Sequence, residues 1–151
     1  MDMLTRVKEF AYRKHKFQKD DNGIPYLYHL IEVANLVAMV SDDYELICAA
    51  YLHDTLEDTN TTYEELQKEF GLRVANLVYE VTHEGTKDEV GYYFPRLKSK
   101  EAIILKFADR LSNLTRMQNW DEKRREHYLK KSKFWNSDDK KRLLSERQSS
   151  L

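Results

Sequence analysis

Residues 46–58 read LICAAYLHDTLED, and no other stretch of this chain restricts its fold as tightly. Positions 46–52 are apolar without interruption. A helix with no polar side has to be buried all round. Four ionisable groups then arrive within six residues: His53, Asp54, Glu57 and Asp58. On a continuous helix Glu57 would stand one turn beyond His53, and Asp58 one turn beyond Asp54. Charged side chains at the edge of a core are costly unless they are paired or bind a metal. By itself the segment fits two readings, a metal site or a helix that surfaces at a polar end.

The remainder must supply partners for that rod. Two prolines and four glycines in 151 residues leave room for long helices, and a chain of this length can bury one full core. Apolar spacing predicts a first helix over 3–19, with Leu4, Val7, Phe10, Ala11 and Lys14 along one side. The turn cluster DDNGIP at 20–25 precedes a helix over 26–40, whose core positions are Leu27, Leu30, Ile31, Ala34, Val37 and Val40. Residues 41–43 offer N-caps for the central rod. Thr61 and Thr62, followed by Glu64 and Glu65, form a capping-box signature for a helix ending at Phe70; Gly71 stops it and a helix over 72–81 restarts. Residues 83–97 read as a loop exposing Tyr92, Tyr93 and Phe94. A helix over 99–119 takes its core stripe from Ile104, Phe107, Ala108, Leu111 and Leu114, and a charged helix covers 122–134. Ser137 and Asp138 offer a cap for a short final helix, and the tail over 147–151 is expected to fray. No strand alternation, repeat or low-complexity linker is present.

Charge and composition remove several classes of function. A net charge of −1, with both signs abundant, argues against a general polyanion binder, so no nucleic acid is expected. The lone cysteine, Cys48, lies in the apolar run; it cannot form an intrachain disulfide and reads as a small buried thiol, not a nucleophile. No segment has the length of a membrane span or the apolar centre of a signal peptide, which predicts a cytoplasmic protein without a membrane partner. A homo-oligomer is left open.

Two further residues are polar within core-forming helices: His29 and Asp109. Each has a plain alternative, His29 as a hydrogen-bonded core histidine and Asp109 as a partner of Lys106. Together with His53 and Asp54 they would give a divalent metal two imidazoles and two carboxylates. Four motifs occur in order: PYxxH at 25–29, HDxxEDT at 53–59, FGxxVxxLVxxVT at 70–82 and KxADRxxN at 106–113. This set resembles the hydrolase domain of the RelA/SpoT family, within the HD phosphohydrolase superfamily, and in particular the small stand-alone alarmone hydrolases.

The resemblance implies an all-α, single-domain HD-type helical bundle and one Mn²⁺ held by His29, His53, Asp54 and Asp109. It implies that Glu57 and Asp58 orient and deprotonate the attacking water, and that a purine nucleotide loses pyrophosphate from its 3′ position. Asn113 matches a residue that contacts the substrate's sugar or phosphate; Arg124 and Tyr128 match residues that line the nucleotide pocket. The departures concern the substrate. Asp20 and Asp21 stand where the family usually carries Arg-Lys between the positions of Gln18 and Gly23, a reversal expected to repel a polyanion by roughly a kcal/mol per contact. Lys16 and Lys19 are the residues able to restore positive charge. Ser112 replaces a common histidine and Leu30 a proline, and both are expected to lie off the metal set. An HD-domain phosphatase for NADPH or a deoxynucleotide, and a non-catalytic nucleotide-binding module, are the alternative functions.

Overall fold

In a computed structural model of the chain, residues 1–83, 96–116 and 121–132 are described, the side chains of 127, 128 and 130–132 excepted. Among them are eight helices: α1 (Met3–Lys14), α2 (Leu27–Val40), α3 (Tyr44–Leu52), α4 (Thr55–Asp58), α5 (Tyr63–Phe70), α6 (Leu72–Val81), α7 (Lys100–Leu114) and α8 (Glu122–Ser132). The described residues contain no strand, only one antiparallel bridge between Lys19 and Pro25. The expected loop aromatics at 92–94, the cap at 137–138 and the tail lie outside the described residues.

α3 is the axis of the bundle, as its composition demands. It packs against α1, α2, α6 and α7, and Leu46, Cys48, Ala49, Ala50, Tyr51 and Leu52 are all buried. Burial pushes the Cys48 thiol up to about 11, so it is a packed thiol and not a nucleophile. The rod is started by Asp43, whose carboxylate accepts the Leu46 N–H at 3.2 Å and also takes Arg73 of α6 at 2.8 and 2.6 Å. One carboxylate thus caps α3 and ties α6 to it. Hydrogen bonding from Arg73 holds the Asp43 pKa below its ordinary value. Its folded pKa is depressed, so its contribution to stability is full above pH ~4 and is lost as pH falls through the folded value. Asp43→Ala should cost about 1–2 kcal/mol in urea unfolding at neutral pH, with the difference from wild type shrinking in acid.

Three departures from the sequence expectation have physical causes. α1 stops at Lys14, not residue 19, because residues 18–26 form a small hairpin. Tyr26 N–H donates to Gln18 O at 2.9 Å, Asp20 Oδ1 accepts the N–H groups of Asn22 and Ile24, and Gly23 takes φ +76°. The central rod does not run through to 58. It ends at Leu52, where Thr55 Oγ1 donates to Leu52 O at 2.7 Å, and restarts as the single turn α4. The core stripe of α7 is also rotated. Its buried face carries Ala102, Leu105, Lys106, Ala108, Asp109, Arg110 and Ser112, while Phe107 and Leu111 are exposed. Polar residues occupy the inner face because the site lies there. The displaced apolar side chains, with Leu36, Met39 and Val40 of α2, line an outer groove of about 570 Å³. α6 follows the expectation, with Val74, Leu77, Val78 and Val81 buried.

Candidate metal centre

The break after Leu52 is what aims the central residues. His53 closes α3 as its C-cap, and its Nδ1 lies 2.7 Å from Ala50 O. A carbonyl oxygen can only accept, so Nδ1 carries a proton and Nε2 is the nitrogen turned inward, toward the carboxylates. Asp54, at φ −102° and ψ 2°, is outside both helices and swings its carboxylate to the same point. His53 Nε2 is 3.0 Å from Asp54 Oδ2 and 3.1 Å from Asp109 Oδ1. His29 of α2 brings its Nε2 to 3.1 Å from Asp109 Oδ1 and 3.6 Å from Asp54 Oδ2.

Three regions of the chain thereby place two imidazole nitrogens and two carboxylate oxygens within 4.8 Å of one another. Neither plain alternative describes His29 or Asp109 fully. His29 is 1% exposed and hydrogen-bonded, but one of its partners is the cluster acid Asp109; Asp109 does face Lys106, at 3.5 Å, and both histidines as well.

The electrostatics favour a cation at this point. Burial resists ionising Asp54 and Asp109, yet the adjacent imidazoles, and Lys106 for Asp109, hold both pKa values well below the carboxylate range. Burial also disfavours a charged His53, but Asp54 and Asp109 outweigh it and hold its pKa well above the usual value. Two ionised carboxylates thus stay buried by drawing positive charge between them. A divalent cation supplies that charge and needs neutral imidazoles, a donor set suited to a hard or borderline ion.

The residues behind the ligands were less visible in the sequence. Ser112, expected to lie off the metal set, touches it: its Oγ is 2.9 Å from His29 Nδ1. With Nε2 given to a metal, Nδ1–H would donate to that hydroxyl and fix the ring. Ser112→Ala should weaken metal affinity by about 10- to 100-fold, measured by competition with a chelating dye. Leu30 is fully buried in the hydrophobic core. The Tyr26 hydroxyl donates to Asp54 Oδ2, and burial with the neighbouring carboxylate pushes its pKa far up, so it remains a donor. Tyr26 lies in the PYxxH motif, which was the only signal for it.

Glu57 and Asp58 flank the cluster on α4, on a separate turn from His53 instead of the same helix. Glu57 Oε1 accepts the His83 N–H at 2.9 Å and lies 3.1 Å from His83 Nδ1. Asp58 Oδ2 accepts Gln18 Nε2 at 3.3 Å, and Gln18 Oε1 lies 2.7 Å from Nδ1 of the buried His15. Asp58 is open to solvent on one side and packed on the other. Lost hydration, then the charge of Asp54, raise its carboxyl to about 6. Glu57 adds to the shift as a smaller contributor than either.

Asn113 directs Nδ2 toward Asp109 Oδ1 at 3.5 Å, and its Oδ1 accepts Arg116 Nη2 at 2.5 Å. Lys19 lines a polar cavity of about 260 Å³ together with Gln18, Asp20, Asp21, Tyr26, Asn113 and Arg116. The acids expected to repel a nucleotide are paired, Asp20 with Arg116 at 3.2 Å and Asp21 with Arg124. Arg124 therefore meets the acidic turn. Tyr128 belongs to α8, with its side chain outside the described set.

Comparison with known proteins agrees with this geometry. The HD domain family matches residues 8–90. A guanosine-3′,5′-bis(diphosphate) 3′-pyrophosphohydrolase of Aquifex aeolicus is 41% identical over 137 residues, 85% of this chain, which spans 20% of that enzyme's length. The human enzyme of that name, MESH1, is 35% identical over 147 residues, covering 83% of this chain and 78% of the human protein. A solved structure described as a metazoan ortholog of SpoT that hydrolyzes ppGpp superposes with a TM-score of 0.77 at 32% identity, over 88% of this chain and 83% of that one. No described helix is long and apolar enough to cross a membrane. With an all-helical frame among the described residues, a buried His/Asp cluster and MESH1-type relatives matched over most of their length, the chain belongs to the HD-domain phosphohydrolases, alongside those stand-alone enzymes.

Proposed function

We propose that this protein is a Mn²⁺-dependent 3′-pyrophosphohydrolase of a guanosine or adenosine alarmone. The observation that carries the reading is the convergence of His29, His53, Asp54 and Asp109 within 4.8 Å, beside an acid whose pKa is about 6. These four residues would hold the ion, which when bound supplies positive charge to the phosphoryl oxygens and acidifies water. Asp58, mostly ionised at neutral pH, takes a proton from the attacking water. Glu57, fixed by His83, orients that water. The water oxygen attacks the phosphorus next to the ribose. The bond from that phosphorus to O3′ breaks, pyrophosphate departs and O3′ takes up a proton. Tyr26 and Asn113 steady the Asp54 and Asp109 carboxylates. Purified protein with Mn²⁺, assayed in parallel on ppGpp, ppApp and NADPH, should release pyrophosphate from one of the first two. Orthophosphate from NADPH alone would move the assignment to a nucleotide phosphatase. Binding without turnover of any substrate would make the chain a nucleotide-binding module.

A further inference from the structure

The acidic turn at 20–24 supports a cation in the wall of the cavity beside the metal cluster. Asp20 spends Oδ1 on two backbone N–H groups of its own turn and receives Arg116 Nη1 on Oδ2 at 3.2 Å. Arg116 Nη2 donates to Asn113 Oδ1 at 2.5 Å, and its backbone carbonyl accepts Asn22 Nδ2 at 3.2 Å. The guanidinium carbon lies 5.8 Å from the centroid of the Tyr26 ring. Its Nε is buried and has no hydrogen-bond partner among the described residues. Arg116 is thus held from the turn, from the end of α7 and against an aromatic face, with a donor still to satisfy.

The cavity that it lines adjoins the metal cluster through Tyr26 and Asn113, which bond to Asp54 and Asp109. Its charged lining is balanced, Lys19 and Arg116 against Asp20 and Asp21. A balanced lining does not draw a free phosphate; it suits an uncharged, hydrogen-bonding planar group. A guanidinium can stack on such a group or donate to its edge, and an ammonium offers no such plane. We propose that Arg116, locked by Asp20 and Asn113, seats the nucleoside end of the substrate in this cavity while the phosphates occupy the metal end. The proposal rests on the phosphohydrolase reading for what lies at the metal end.

The test is calorimetric binding of GDP and of inorganic pyrophosphate, each with Mn²⁺ present, to wild type, Arg116→Ala, Arg116→Lys and Asp20→Asn. Arg116→Ala should weaken GDP by about tenfold or more, the scale of one lost charged hydrogen bond, and leave pyrophosphate within about twofold. Arg116→Lys should fail to restore GDP, and Asp20→Asn should weaken GDP less than Arg116→Ala does. Unchanged GDP binding in Arg116→Ala, equal weakening of both ligands, or a wild type that holds pyrophosphate and not GDP overturns the proposal. A wild type that binds GDP through Arg116 yet turns over no nucleotide sinks the hydrolase reading and leaves this one standing.

Discussion

Asp109→Asn is expected to eliminate turnover and metal retention while leaving the helical content intact. Asp109 is the residue on which the cluster closes: its Oδ1 lies 3.1 Å from both histidines, and its Oδ2 faces Lys106 at 3.5 Å. The amide keeps the shape of the side chain and removes one of the two buried negative charges that make the point attractive to a cation. Loss of the ion's charge stabilisation, roughly 4 kcal/mol, corresponds to about a thousandfold in rate. Two measurements separate this from misfolding. Wild type should gain thermal stability with added Mn²⁺, by about 2.7 kcal/mol at a hundred times its Kd, and Asp109→Asn should gain almost none. Metal content after gel filtration should fall toward zero with an unchanged far-ultraviolet spectrum. A variant that retained the ion and turned over substrate normally would remove Asp109 from the site.

Asp58→Asn should separate chemistry from binding. The side chain stands at the mouth, bonded to Gln18 and not to the ligand cluster, so the variant should hold metal and substrate as wild type does. Loss of a positioned base should lower kcat by about 10²- to 10⁴-fold, with KM nearly unchanged. The pH dependence carries the sign. Burial and Asp54 raise this carboxyl to about 6, so the basic form is lost as pH drops through that value and kcat falls on the acid side. A bound cation pulls the same pKa downward, which places the acid limb of the loaded enzyme at or below about pH 6. In Asp58→Asn that limb should vanish. A variant that kept both the limb and the rate would transfer the base to another group, Glu57 first.

The order of secondary structure was readable from the sequence where local chemistry dictated it. The uninterrupted apolar run of α3, the caps at Asp43 and Thr62, and the stop at Gly71 each depend on neighbours within a few residues. Element ends failed where a distant partner intervened. Residues 15–19 have the composition of a continuing helix, but the backbone of residues 18–20 pairs with residues 24–26 instead. The stripe assigned to α7 followed hydrophobicity alone, and the face turned inward is the one with Asp109 and Ser112. Apolar periodicity cannot report a helix whose buried side is polar because it holds a site.

For the site the same division holds. The four candidate ligands were legible in the sequence, because imidazoles and carboxylates set into core-forming helices are costly and four ordered motifs carry them; the structure brings the same four side chains together. The residues that hold the side chains of the site and its cavity in place were decided only by the tertiary structure. Ser112 behind His29, Gln18 under Asp58 and Arg116 against Asp20 are contacts between side chains 83, 40 and 96 positions apart. The charge of Asp20 was plain in the sequence, but its electrostatic effect depended on what folded beside it. A carboxylate facing a nucleotide repels it, and one bonded to an arginine places that arginine in the wall of the pocket.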